Sequence, residues 1–177
     1  HERASDRMAE AAQSLEGDIF VLVQGDEPMT FPDMITEAVS PFSADPGVAC
    51  VNLTKQILDI DEFKSPNTIK GVIGTGEDAL YMSRSEIPTL ANSNFRDIAA
   101  FKQVCIIPFR RDALECYTAL FPTPGEIAES IDMLRFLEHG LPVRMVKTAF
   151  DTHAVDTQDD LDHVSALMAN DSLMNRY

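Results

Sequence analysis

A chain of 177 residues fits one domain of ordinary size and can bury a sizeable core. Lys plus Arg number 14 against 29 Asp plus Glu, and the resulting formal charge of −15 repels phosphodiester backbones and anionic lipid, which argues against nucleic acid and membrane surfaces as partners. Hydrophobic content of 45% with 24% charged residues is the composition of a folded globule, and no apolar run approaches the roughly 20 residues of a membrane helix.

The opening His-Glu-Arg-Ala-Ser-Asp-Arg is charged and polar, unlike the basic-then-apolar layout of an export signal. Behind Ser5 and Asp6, either of which suits a cap, Met8, Ala9, Ala12 and Leu15 recur at helical spacing, so the chain starts almost on a helix, as an N-terminally truncated domain would. Ile19 to Val23 is a continuous apolar run, read as a central parallel strand covered on both faces. It stops at Gln24-Gly25-Asp26-Glu27-Pro28, and Met34, Ile35, Ala38 and Val39 then predict a helix after Pro32, closed by a Pro-rich break over Ser40 to Gly47.

A second strand is expected over Val48 to Leu53 and a short acidic helix over Asp59 to Lys64. Ile69 to Ile73 and Ala79 to Ser83 read as a hairpin across a Gly-rich loop, with Pro88 to Asp97 as an extended arm. Val104 to Phe109 is a further strand. Leu114, Tyr117 and Leu120 suggest one helix; Ile127, Ile131, Leu134 and Leu137 suggest a longer one stopped at Gly140. Val143 to Ala149 is the last strand, and Asp159 to Leu167 a closing helix with Leu161, Val164, Ala166 and Leu167 inside. Alternating helices and strands predict a single three-layer α/β domain over residues 1–177, with a mostly parallel sheet and an inserted hairpin and arm.

In open sheets of this kind ligands sit at the carboxyl ends of strands, which puts Gln24 to Glu27 first in line. That turn places two carboxylates and an amide behind a hydrophobic strand; its acids suit a hard cation or the cap of the next helix. Asp156-Thr157-Gln158-Asp159-Asp160 carries the same two readings, with capping favoured for Asp159 and Asp160. Lys70 and Arg84 sit in or after apolar strands, where each faces an anion or serves as an edge charge. Glu129, Asp132 and Arg135 share a polar helix face and read, by spacing alone, as solvated surface. Cys50, Cys105 and Cys116 and the four histidines show no metal-type spacing, and a reducing cytoplasm is the simplest setting for the free thiols. Glycine-rich phosphate loops and G-x-S-x-G elbows are absent.

The QGDEP turn, Ser65-Pro66-Asn67-Thr68-Ile69-Lys70, the strand Tyr81-Met82-Ser83-Arg84 and the turn Val155-Asp156-Thr157-Gln158-Asp159-Asp160-Leu161 follow one another, behind His1 to Glu10, in an order that resembles the 3-deoxy-manno-octulosonate cytidylyltransferases. The resemblance implies a Rossmann-like, GT-A-like nucleotidyltransferase fold, a homodimer, and magnesium-dependent transfer from CTP to a sugar acid with release of pyrophosphate, in surface polysaccharide synthesis. By position it implies that Asp26 and Asp156 bind the metal, that Gln24 and Arg84 contact the sugar, and that Arg7 lies near the nucleotide. Gln103 falls where the family has a histidine, Ile107 where it has a tyrosine, and Asp132 and Met133 on its glutamate-glutamine pair, with Glu129 preserved upstream. These substitutions change the hydrogen-bond capacity of a sugar pocket, which keeps a nonulosonic acid as an alternative substrate. The family's first βαβ unit, with its basic triphosphate-gripping loop, has no counterpart here; the resemblance therefore implies truncation at the N-terminus, or else a non-catalytic sugar-binding or dimerisation module.

Overall fold

The computed structural model describes residues 3–171 and 173; of the segment His1 to Glu10, His1 and Glu2 lie outside the described residues. Seven strands and seven α-helices follow in the order α1 (Ala4–Ala12), β1 (Ile19–Val23), α2 (Pro32–Ala44), β2 (Val51–Gln56), α3 (Ile60–Lys64), β3 (Lys70–Ile73), β4 (Ala79–Ser83), β5 (Phe101–Val104), β6 (Ile106–Arg110), α4 (Arg111–Ala119), α5 (Pro124–Glu129), α6 (Met133–Glu138), β7 (Arg144–Lys147) and α7 (Gln158–Met168).

The strand read as Val104 to Phe109 is the centre of the sheet, and it is broken. β5 pairs antiparallel with β2 from Leu53↔Val104 to Gln56↔Phe101, while β6 pairs antiparallel with β1 as a separate two-stranded ladder and bridges Cys50, the residue before β2, at Phe109. Cys105, between the two halves, is an irregularity of the kind that re-aims a strand beside a site. On its other side β2 pairs in parallel with β7, and β3 joins β5 antiparallel and carries the hairpin partner β4.

Among the described residues β2 with β7 is thus the one parallel ladder, and the sheet is mixed rather than mostly parallel. The hairpin forces antiparallel pairing, because five residues between β3 and β4 cannot make the long crossover a parallel pair needs. β1 is correspondingly not paired in parallel: among the described residues its partner is β6, antiparallel, and none of its residues is fully buried. The apolar run did report both faces. Phe20 and Leu22 pack toward one core cluster and Ile19 and Val21 toward the others, whereas the direction of a partner strand leaves no mark on a hydrophobicity pattern.

Helices cover both sides, which makes the three layers. Met8, Ala9 and Ala12 of α1, Leu114 and Tyr117 of α4 and Phe136 of α6 pack on one face around Phe109; Met34 and Ala38 of α2 pack on the other against Leu53, Val104 and Ile106. Three helix boundaries and one buried face depart from the pattern. α2 continues through Pro41 to Ala44. The single helix expected before Gly140 is two, α5 and α6, parted where Ser130 turns left-handed at φ 54°, while Gly140 at φ 75° makes the stop. Leu15 lies past the end of α1 and is 58% exposed. In α7 only Val164 is fully buried; Leu161 and Leu167 face outward. No described helix is long and apolar enough to cross a membrane.

Candidate active site

The two acidic turns converge. The first follows β1 and is fastened by backbone to the break at Cys105: Gln24 N–H donates to the Cys105 carbonyl at 3.2 Å, and the Cys105 N–H donates to Glu27 Oε1 at 3.1 Å. Glu27 is 7% exposed, and burial is the main cause that raises its carboxyl above the ordinary glutamate range. The second turn is built by the N-terminus of α7. Thr157 caps the helix, and Asp160 Oδ2 accepts from the Thr157 N–H at 2.8 Å and the Asp156 N–H at 3.2 Å. Asp160 is thereby a capping residue held below the ordinary aspartate range, chiefly by its hydrogen bond from the Thr157 hydroxyl.

A hydrogen bond from Val155 N–H to the Asp26 carbonyl, 2.9 Å, joins one turn to the other. Partial burial, and next the charge of Asp26, raise the Asp156 carboxyl. Asp26 Oδ1 is buried and takes no hydrogen bond. A buried carboxylate oxygen without a donor is rare enough to require an explanation, and a bound cation supplies one. Among the described residues no three His, Cys, Asp or Glu side chains form a closed metal cage. Two carboxylates with the remaining positions left to water and phosphate oxygens fit magnesium, which keeps several waters and bridges phosphates.

Both aspartates line a cleft of about 720 Å³. Gln24, Arg84, Gln103 and Asp132 line the same cleft. Arg7, on the exposed face of α1, instead lines a neighbouring recess of about 480 Å³ that meets the cleft at Gln24 and Asp26. Arg84 is braced by carbonyls: its Nε donates to Glu129 O at 2.7 Å and its Nη1 to Pro66 O at 3.1 Å. Glu129 does not line the cleft. Its carboxylate accepts from Ser83 Oγ at 2.6 Å and the Arg84 N–H at 2.8 Å, so it holds Arg84 and leaves ligand contact to that residue.

Lys70 does not present its charge to the cleft either. It is fully buried, and its ammonium donates to the carbonyls of Ser65 at 2.8 Å, Thr68 at 2.7 Å and Arg84. With all three donors committed it shapes the loop from Ser65 to Thr68, and burial lowers its pKa. Of the three altered pocket positions, Gln103 and Ile107 line the cleft, but Met133 is fully buried in the core against Cys50.

Arg135 overturns the reading of a solvated helix face. It is 4% exposed, lies over the Tyr117 ring at 4.2 Å, and donates to both oxygens of the fully buried Glu126, at 2.6 and 2.8 Å. Asp132 faces α1: its Oδ2 accepts from the Ser5 hydroxyl at 3.0 Å and the Ser5 N–H at 3.3 Å, so it supplies the first-turn acceptor that Arg3, at the N-cap, does not.

Two cleft residues escaped sequence reading. Lys102 pairs with Glu62 at 2.6 Å and donates to Thr152 O at 2.9 Å. His153, its ring 4.9 Å from that of His163 and edge-on to it, has its pKa lowered first by burial and then by Lys102. Neither had a local signal, because both owe their place to contacts distant in the chain.

A three-layer α/β fold that brings one carboxylate from the turn after β1 and another from the N-terminus of α7 to one cleft is suited to a nucleotidyltransferase. The backbone agrees: a glucose-1-phosphate thymidylyltransferase from Bacillus anthracis superimposes with a TM-score of 0.62 over 95% of this chain and 61% of its own, at 12% identity, a likeness of fold alone. The sequence pattern of the cytidylyltransferase family matches residues 1–161. The 3-deoxy-manno-octulosonate cytidylyltransferases of Geobacter metallireducens and Chloroherpeton thalassium are each 40% identical, over 178 and 167 residues, covering 93% of this chain and 68% of theirs. A CMP:2-keto-3-deoxy-manno-octonic acid synthetase solved with CTP matches at a TM-score of 0.86 and 37% identity, over 96% of this chain and 69% of that one. The chain belongs to the 3-deoxy-manno-octulosonate cytidylyltransferase family, and it spans about two thirds of the length of these relatives.

Proposed function

We infer that the protein transfers a cytidylyl group from CTP to 3-deoxy-manno-octulosonate, releasing pyrophosphate. The observation that carries the reading is the junction of the acidic turns, with Asp26 and Asp156 in one cleft, close enough that the Asp26 charge raises the Asp156 carboxyl, and one oxygen of Asp26 buried without a donor. Asp26 and Asp156 would hold magnesium, which when bound neutralises phosphate charge and orients the α-phosphate for in-line attack. The chain's own part is positioning. The Val155–Asp26 bond and the Thr157–Asp160 cap fix the two carboxylates relative to each other, and Gln24 and Arg84 stand beside them to orient the sugar acid. Because acidic side chains outnumber Arg84 and Lys102 around the cleft, an anionic substrate depends on the cation for its binding as well as its reaction.

The test is pyrophosphate release by the full-length protein with CTP, magnesium and a panel of octulosonic and nonulosonic acids. Release with 3-deoxy-manno-octulosonate supports the assignment; release only with a nonulosonic acid redirects it, and silence across the panel favours a binding module. The homodimer belongs to the same proposal, with the outward Leu80 and Tyr81 of β4 as apolar surface for it, and a monomeric mass in solution would overturn that part.

A further inference from the structure

Asn52 lies on β2, fully buried, and has no part in the reading above. A buried amide must satisfy both of its ends. Its Nδ2 donates to the carbonyls of Leu53 at 2.6 Å and Val104 at 3.2 Å, and those two acceptors settle which end is the NH2 group, since a flipped amide would set its oxygen against two carbonyl oxygens. Asn52 Oδ1 is therefore an acceptor, and its donor is Gln103 Nε2.

That bond fixes Gln103 in turn. Its Nε2 is directed to Asn52, its Oε1 takes no hydrogen bond from the described residues, and the side chain lines the cleft. A free glutamine offers either end of its amide by turning its last torsion; this one cannot turn without leaving Asn52 Oδ1 buried and unpaired. A histidine at this position would switch between donor and acceptor by tautomer. Cys105 and Ile107, next along the same wall, provide no comparable acceptor.

We propose that Asn52 is a specificity-determining positioning residue: by locking the Gln103 amide it gives this wall of the cleft an acceptor, which demands a hydroxyl donor on the sugar acid. The proposal rests on the sugar-acid reading above. Asn52 and Gln103 stand 51 residues apart in the chain, and nothing local in the sequence links them.

The test uses the full-length protein and analogues of 3-deoxy-manno-octulosonate that each lack one hydroxyl. The unsubstituted protein is expected to use one analogue about 30-fold less well than the parent acid in kcat/KM. Asn52→Leu frees the Gln103 amide and should reduce that ratio below about 5, raising KM for the sugar acid and leaving KM for CTP alone, a split that general loosening would not produce. Gln103→Leu, at the cleft wall, should remove the ratio even if Asn52→Leu fails to fold. Equal use of all analogues by the unsubstituted protein, or a ratio unchanged in both variants, overturns the proposal. If the functional reading itself fails, no pyrophosphate appears with the parent acid, and the lock is then read from the side-chain amide resonances of nitrogen-15-labelled glutamine. A slowly exchanging Gln103 pair that becomes averaged in Asn52→Leu supports the lock; a pair already averaged in the unsubstituted protein overturns it.

Discussion

Two charge clusters flank the start of α6, and they are satisfied in opposite ways. Behind α1, Glu126 receives both arms of Arg135 and lies 3.5 Å from Arg3, while Arg135 also reaches Asp6 at 3.5 Å. At the cleft, Asp26 and Asp156 form no ion pair among the described residues, and an oxygen of Asp26 is buried without a donor. The first cluster is complete within the chain and ties α1 to α5 and α6. The second is left unpaired within the described residues, and its repulsion is retained where the proposed cation would relieve it.

The contrast is sharpest at Asp26. In the full-length protein Asp26→Asn should lower kcat by about 10³-fold or more in a pyrophosphate-release assay and leave the thermal midpoint unchanged or raised, because the variant relieves repulsion with Asp156. A variant that keeps a tenth of the activity would remove Asp26 from the site. The mirror experiment is Arg135→Ala, which leaves Glu126 buried and unpaired and should cost about 3–5 kcal/mol in urea unfolding, most of it recovered when Glu126 is also made apolar. Magnesium at a hundred times its dissociation constant should stabilise the unsubstituted protein by about 2.7 kcal/mol, an effect that chelation reverses and Asp26→Asn abolishes. Thr123→Ala, which removes the cap of α5, should cost about 1 kcal/mol in the same unfolding measurement without altering magnesium binding.

The smallest effect concerns pH. Partial burial and Asp26 raise the Asp156 carboxyl, so the folded chain holds its proton after the unfolded chain has released it. Stability therefore falls as pH rises from the ordinary aspartate range through the raised value, and the penalty is complete above it. Asp156→Asn should be the more stable form at neutral pH in metal-free buffer, with the gain vanishing in acid, where both side chains are uncharged. Parallel melting curves across that range would show a constant offset if Asp156 were not perturbed.

Much of this was legible before any coordinates. The turn after β1, the hairpin of β3 and β4 and the cap of α7 are local, and local chemistry specifies them: an apolar run ended by QGDEP, two strand patterns around Gly74 and Gly76, and Thr157 followed by Asp160. Strand directions and ion pairs were not legible, because they are decided by residues far apart. β1 showed its two apolar faces and gave no sign that its partner β6 runs antiparallel. Lys70 read as a cation facing an anion or as an edge charge until three carbonyls took its donors, and Arg135 read as surface until Glu126 appeared nine residues earlier across the turn at Ser130. Asn52 gave no signal at all, since its meaning lies in the orientation of another side chain.

The break at Cys105 has a mechanical meaning. β5 and β6 are one stretch of backbone gripped at one end by the hairpin strand β3 and at the other by β1, and the QGDEP turn is fastened to the joint between them through main-chain groups and Glu27. A load applied to the hairpin, by a docking subunit for instance, would pass along β5 to the acidic turn through the Gln24–Cys105 main-chain bond and the Glu27 carboxylate. The Cys105 side chain takes no part in this fastening, whereas the spacing around it does: one residue inserted between Val104 and Ile106 would uncouple the outer hairpin from the acidic turn while leaving every residue of the cleft in the sequence.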